Sequence, residues 1–230
     1  MKKVALFWSA GKDSALALYK LKQNPNITLV ALVTTFNSEF KRVSMHGVRE
    51  TLVDKQSAQL DYPLVKMWVP TDPENNAYET EFLKIATELK RKGVDTIAFG
   101  DIFLEDLRAY RENLVEKVGL SAFFPLWKTS TKHLAKEFSD LGFKSITCCV
   151  QSETLGSDWL GRQLNQSFFD QIPPNVDPCG ENGEYHTFCY DGPVFNKAIN
   201  YAHGEQVFKP MDIRKLDKQE ASGFYYLDLI

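Results

Sequence analysis

The sequence predicts an α/β protein, a doubly wound parallel sheet joined to a smaller α+β C-terminal domain. Three observations carry this expectation. Strand-like and helix-like segments alternate with short connections through residues 1–127. Residues 27–36, ITLVALVTTF, form a nearly unbroken apolar run, as expected of a strand covered on both faces. Residues 128–230 lose the alternation and contain a stretch rich in Pro, Gly, Asp and Glu at 172–195, so the chain divides near residue 127.

A strand over 3–8 leads into a helix over 13–21, and residues 27–36 return as the second strand. A helix near 46–60 and a strand over 64–69 follow. Asp72-Pro73 starts the next helix, with Asp as N-cap and Pro in the first helical position. Its apolar residues Tyr78, Phe82, Ile85 and Leu89 recur at three and four, and Gly93 stops it. A fourth strand over 96–99 ends at Gly100-Asp101. Leu107, Leu114, Val115 and Val118 mark a helix closed by Gly119, and 122–126 reads as a fifth strand. Repeated units of this kind make a parallel sheet with helices on both faces. With strand order 3-2-1-4-5, the loops after strands one and four meet in one crevice where the order reverses. Beyond it, a helix over 131–141 and a strand over 145–150 can extend the sheet, and a further helix follows Ser157.

Of the 230 residues, 43% are hydrophobic and 25% charged, with a formal net charge of -3. That is the make-up of a soluble globular chain and lacks the basic excess of a nucleic-acid surface. No apolar run approaches the roughly 20 residues of a membrane span. The apolar segment after Lys3 ends at Ser9, too short for a secretory leader, and the expected location is cytoplasmic. Cys148, Cys149, Cys179 and Cys189 form no C-x-x-C pair, so free thiols are expected. Cys179 stands out for its neighbours alone.

Between the first strand and its helix lies Ser9-Ala10-Gly11-Lys12-Asp13-Ser14. A Walker A loop needs glycine where Leu6 stands and Ser or Thr where Asp13 stands, and no G-x-G-x-x-G is present. What remains is a small-residue turn at a helix N-terminus, able to cradle an anion with backbone N–H groups and the Ser9 and Ser14 hydroxyls. Lys12 would neutralise phosphate charge, and Asp13 would cap the helix or hold magnesium.

This segment resembles the PP-loop, Ser-Gly-Gly-x-Asp-Ser, of ATP pyrophosphatases in the adenine nucleotide alpha-hydrolase superfamily, with Ala10 in place of glycine. The segment 179–195, CGENGEYHTFCYDGPVF, resembles the hallmark of the diphthine–ammonia ligase family. VSMHG around His46, FGDI at Gly100-Asp101, PLW ending at Trp127 and LGRQL around Arg162 extend that resemblance over most of the chain. It implies a Rossmann-like nucleotide domain, ATP and Mg2+ at Ser9, Ala10, Gly11, Lys12, Asp13, Ser14, His46, Gly100 and Asp101, and cleavage of ATP to AMP and pyrophosphate. Family members that amidate diphthine carry Glu-Gly-Gly-Glu-Tyr-Glu-Thr where this chain has Glu181-Asn182-Gly183-Glu184-Tyr185-His186-Thr187. The latter pattern resembles a bacterial subgroup linked to cobalamin-related metabolism.

On chemistry alone, Glu181, Glu184 and His186 are close in sequence, and a carboxylate or imidazole near an amine can accept its proton. The plain alternative is a polar hairpin with solvated carboxylates. The leading expectation is an ATP-dependent carboxylate–ammonia ligase, with Lys12, Asp13, Glu181, Glu184 and His186 catalytic and Asp13 on the metal. Its partners are ATP, ammonia and a carboxylate substrate, with no nucleic acid or membrane and a homodimer left open. The rivals are a tRNA-modifying PP-loop enzyme and a non-catalytic nucleotide-binding protein. Arg49 and Arg111 read as surface helix residues able to bind a carboxylate or phosphate. His133 and His203 receive no role, and Trp8, Trp68, Trp127 and Trp159 read as core.

Overall fold

The computed structural model describes residues 1–71, 76–211 and 222–230. The Asp72-Pro73 helix start lies outside the described residues. In the first sheet β1 (Lys2–Phe7) is central, flanked in parallel by β2 (Ile27–Asn37) and β5 (Thr96–Ala98). Strand β2 pairs outward with β4 (Leu64–Val69) and β5 with β6 (Ser121–Phe123), both parallel. The order β4-β2-β1-β5-β6 is the 3-2-1-4-5 order expected from the sequence. A two-residue strand, β3 (Arg42–Val43), pairs antiparallel with Phe36 and Asn37, which also pair with β4. Strand β3 therefore lies on the β1 side of β2, just past the end of β1, and walls the loop that follows.

The residues of β1 show why it is central. Val4 and Leu6 face one core and Ala5 the other, all at most 1% exposed. Helices α3 (Ala77–Arg91) and α4 (Glu105–Glu116) cover the second face through Phe82, Ile85, Leu89, Leu114 and Val115. Helices α1 (Lys12–Lys22) and α2 (Glu50–Leu60) cover the first through Leu16, Leu18, Leu52 and Val53. The helix near 46–60 starts later than expected, at Glu50, because Met45 and Gly47 adopt positive φ in a tight turn closed by Gly47 N donating to Val43 O.

The C-terminal half corrects a second expectation. The strand near 145–150 is β7 (Lys144–Gln151), and it does not extend the parallel sheet. It joins a separate antiparallel sheet of order β8-β7-β10-β9, with β8 (Tyr185–Asp191), β9 (His203–Pro210) and β10 (Gly223–Leu229). Its inward residues Ile146, Cys148, Tyr185, Phe188 and Leu229 belong to the same core as α1 and α2. Helix α5 (Thr131–Asp140) adds Leu134 and Phe138. The helix expected after Ser157 is a single 3-10 turn, Ser157–Trp159, and then α6 (Gln166–Gln171). Among the described residues no helix is long and apolar enough to cross a membrane.

Candidate active site

The sequence 9–14 turns sharply after β1 because Ala10 takes φ +69. Gly11 is extended (φ -98, ψ -178) and occupies the helix N-cap position, so Asp13 does not cap α1. A Cβ on Gly11 would lie 2.6 Å from His46 Cε1 and 3.0 Å from Thr187 O, so glycine is needed there for space. The first-turn N–H groups of α1 have no intrahelical acceptor. Lys12 N instead donates to Thr187 Oγ1 at 3.0 Å. Ser14 Oγ donates to Gly11 O at 2.9 Å and lies 3.3 Å from Ser9 Oγ.

Strand β8 grips the loop from outside: Cys189 N donates to Ala10 O at 2.9 Å. The buried Gln56 amide adds a knot, accepting from Trp8 Nε1 and donating to Ala10 O and Cys189 O. Neither Thr187 nor Gln56 was singled out from sequence, where a threonine in a hallmark segment and a glutamine inside a helix carry no distinguishing signal.

Lys12 is buried, with Nζ 2.9 and 2.7 Å from the two Asp13 carboxylate oxygens and donating to the Cys179 carbonyl. It also lies 5.3 Å above the Tyr185 ring. Burial pulls the Lys12 ammonium down, but the surrounding anions, Asp13 first, leave it raised and charged. Burial lifts the Asp13 carboxyl above its ordinary range, against the pull of Lys12.

The loop after β5 meets this turn as the strand order required. A Cβ on Gly100 would be 3.4 Å from Asp13 C and Ser14 N. Asp101 is paired with Arg111 Nε at 2.6 Å, and the Arg111 guanidinium lies 4.6 Å over the Phe99 ring. Arg111 lines the cavity, unlike the surface residue expected. Arg49 is 41% exposed and bonded to Asp228 away from it.

From the second half, Glu181 accepts from Ile102 N at 2.6 Å and Phe103 N at 3.4 Å, joining segment 177–184 to the loop after β5. Burial, and then the neighbouring Asp13 charge, push its carboxyl up to about 7. Glu184 is also buried, but it accepts from Asp177 N, Asn182 N and Asn182 Nδ2 and does not line the cavity. His186 packs 4.7 Å from His46, ring centre to ring centre. Burial holds both imidazoles well below their ordinary range, His46 at about 4.

These residues enclose a cavity of about 430 Å³, lined from the first half by Ser9, Lys12, Asp13, Ser14, His46, Gly100, Asp101 and Arg111, and from the second by Glu181, His186 and Thr187. Among the described residues no group of three or more His, Cys, Asp or Glu side chains forms a ready-made metal site. The Asp13 carboxylate nevertheless fits magnesium, which typically takes one or two protein carboxylates together with substrate phosphate oxygens. His133 is exposed, and His203 stacks on Tyr201. Trp8 is buried, as expected, and also lines the cavity.

A small-residue turn between a central parallel strand and its helix, at the reversal of a doubly wound sheet, defines a PP-loop protein. Residues 1–122 match the family model described as the diphthamide synthase N-terminal domain, and residues 130–220 match that of the diphthamide synthase C-terminal domain. The chain belongs to the diphthamide synthase family. The diphthine–ammonia ligases of Bos taurus and Homo sapiens are each 30% identical to it over 142 residues, 57% of this chain and 51% of theirs. That of Danio rerio is 28% identical over 160 residues, 65% of this chain and 62% of its own. The chain spans about half the length of the first two relatives.

Proposed function

We propose that this chain is an ATP-dependent carboxylate–ammonia ligase, with residues 1–127 holding the nucleotide and 128–230 contributing to the acceptor site. The observation that carries the reading is Glu181 bonded to the loop after β5 while lining one cavity with Lys12 and Asp13. A phosphate site and a proton acceptor with a value of about 7 therefore share one cleft. Family membership and the relatives' name, diphthine–ammonia ligase, support the reaction class.

In this scheme the first-turn N–H groups of α1 and the hydroxyls of Ser9 and Ser14 receive the β- and γ-phosphates of ATP. Lys12 turns from Asp13 to the leaving pyrophosphate, and Arg111 offers a second cation. Asp13 would hold magnesium, which when bound offsets phosphate charge. A substrate carboxylate attacks the α-phosphorus, breaking its bond to the bridging oxygen and giving an acyl adenylate and pyrophosphate. Ammonia then attacks the acyl carbon, AMP leaves with the C–O electron pair, and Glu181 accepts the proton released. Glu184, its oxygens engaged by segment 177–184, acts by holding the shape of that segment. The acceptor is a carboxylate of diphthine or of another molecule, with the Asn182 and His186 pattern pointing to the latter.

The test is incubation of the chain with ATP, magnesium chloride and 15N-ammonium chloride in fractionated cell extract, following AMP, pyrophosphate and labelled amides by mass spectrometry. Lys12→Ala is expected to lower AMP production by about 100-fold, as loss of a preorganised charge stabiliser does. Undiminished AMP production in both Lys12→Ala and Asp13→Ala refutes the scheme.

A further inference from the structure

We propose that His46 and His186 together form the binding site for the amine nucleophile, taking ammonia as the neutral molecule; the inference rests on the ligase reading above. The starting point is a tautomer. His46 Nδ1 lies 2.9 Å from the Thr187 carbonyl oxygen. A carbonyl can only accept, so Nδ1 carries the proton. In a neutral ring Nε2, across the ring from Thr187, is then a bare lone pair. The ring is fixed as well as tautomerically defined, since its Cε1 packs against Gly11 and His186 packs against its face.

His186 supplies a second unsatisfied ring nitrogen. Its Nε2 is buried without a hydrogen-bond partner although the residue lines the same cavity. A buried polar atom left unpaired costs about 1–3 kcal/mol, which a ligand hydrogen bond would relieve. Lys12 lies near both rings and, with burial, keeps both imidazoles neutral.

A neutral acceptor beside a second unpaired ring nitrogen fits a small ligand rich in N–H donors. Phosphate oxygens are themselves acceptors and cannot satisfy a lone pair, so the nucleotide's anionic groups are wrong for His46 Nε2. Ammonia carries three N–H donors and one lone pair. Two of those donors directed to the imidazoles leave the lone pair free for the acyl carbon. The C–N bond forms from that pair, the bond to AMP breaks toward AMP, and the surplus proton passes to Glu181. Ammonium has no free pair to attack with, and the Lys12 charge opposes its entry. His46 thus belongs to the amine, where the sequence placed it with the nucleotide.

The test uses the full chain with 15N-labelled histidine and long-range 1H–15N NMR at pH 8.5, titrated with ammonium chloride against sodium chloride and tetramethylammonium chloride. These titrations are run with and without an ATP analogue carrying an α,β-methylene bridge, which blocks the bond that the scheme breaks. The expected result is a His46 spectrum of the Nδ1–H tautomer and Nε2 shifts for His46 and His186 that saturate with ammonium chloride alone among the salts. In His186→Phe the His46 shift should need at least 10-fold more ammonium. A His46 proton on Nε2, no ammonium-specific shift in either state, or Nε2 shifts produced by the ATP analogue and unaffected by ammonium would each overturn the inference. A parallel titration of uniformly 15N-labelled chain reads the Gly11 and Lys12 amides. Failure of the analogue to move them counts against the nucleotide reading, independently of the histidine result.

Discussion

Gly11→Ala should loosen the whole active site although it adds one methyl group. The backbone at Gly11 is extended and suits alanine, so any cost must come from space. The new Cβ would meet His46 Cε1 at 2.6 Å, Thr187 O at 3.0 Å and Thr187 Oγ1 at 3.1 Å. None of these is the free end of a mobile side chain. His46 is bonded to Thr187 O, Thr187 takes the Lys12 N–H, and both belong to packed structure. Overpacking of this kind costs about 1–3 kcal/mol. Separation of the loop from β8 forfeits one or two hydrogen bonds worth about 1 kcal/mol each. The sum is about 2–5 kcal/mol, which at a urea slope of about 2 kcal/mol/M lowers the unfolding midpoint by about 1–2.5 M. The neighbouring change, Ala10→Gly, relieves about 1–2 kcal/mol of left-handed strain and gives up comparable burial and chain entropy, so it should leave the midpoint nearly unmoved. Urea unfolding followed by tryptophan fluorescence measures both. A Gly11→Ala midpoint within about 0.3 M of the parent would refute the steric argument.

Three further outcomes follow from the same contacts. Glu181 is raised from 4.5 to about 7, so the folded state holds a proton that the unfolded chain has released; its contribution to stability falls as pH rises through that window. Glu181→Gln should remove that fall, seen as a parent-minus-variant stability difference that declines between pH 5 and 8; a constant difference would contradict it. Asp228, paired with Arg42 at 2.7 Å and Arg49 at 2.5 Å, is held down at about 2. Its contribution is present above the ordinary 3.8 and lost as pH falls through about 2, so Asp228→Asn should cost about 1–2 kcal/mol at pH 7, allowing for solvent screening, and little at pH 2. Gln56→Leu strands the Trp8 indole N–H and removes the amide's bonds to the Ala10 and Cys189 carbonyls, of which Ala10 O keeps Cys189 N, and should cost about 1–3 kcal/mol by thermal or urea unfolding; a neutral result would mean the indole finds another partner.

The parallel sheet was readable because each of its strands leaves a local mark. The apolar run 27–36, Gly100-Asp101 after a short apolar segment and the small residues 9–14 marked strands and loops, and the order 3-2-1-4-5, assumed for a doubly wound sheet, then placed the switch point. Of the antiparallel sheet only β7 left such a mark. Strand β9 is largely exposed at the sheet edge, so it shows no alternation. Within the site, Lys12, Asp13 and Glu181 stood out as charges in unusual company. Glu184 lies off the cavity and Arg111 on it for opposite reasons: a carboxylate can be consumed by nearby backbone N–H groups, and a helix arginine can be drawn inward by one aspartate. Neither partner can be inferred from spacing alone.

The grip of β8 on the phosphate loop bears on modularity. Ala10 O, Lys12 N and the Lys12 ammonium all find partners beyond residue 178. A fragment ending before that point would carry every residue of the loop, yet its lysine would face water and its backbone would lack the bonds that set its curve. The two halves therefore cannot be exchanged with those of other proteins as independent cassettes. A graft that aims to move this nucleotide site must carry Cys179, Thr187 and Cys189 along with it.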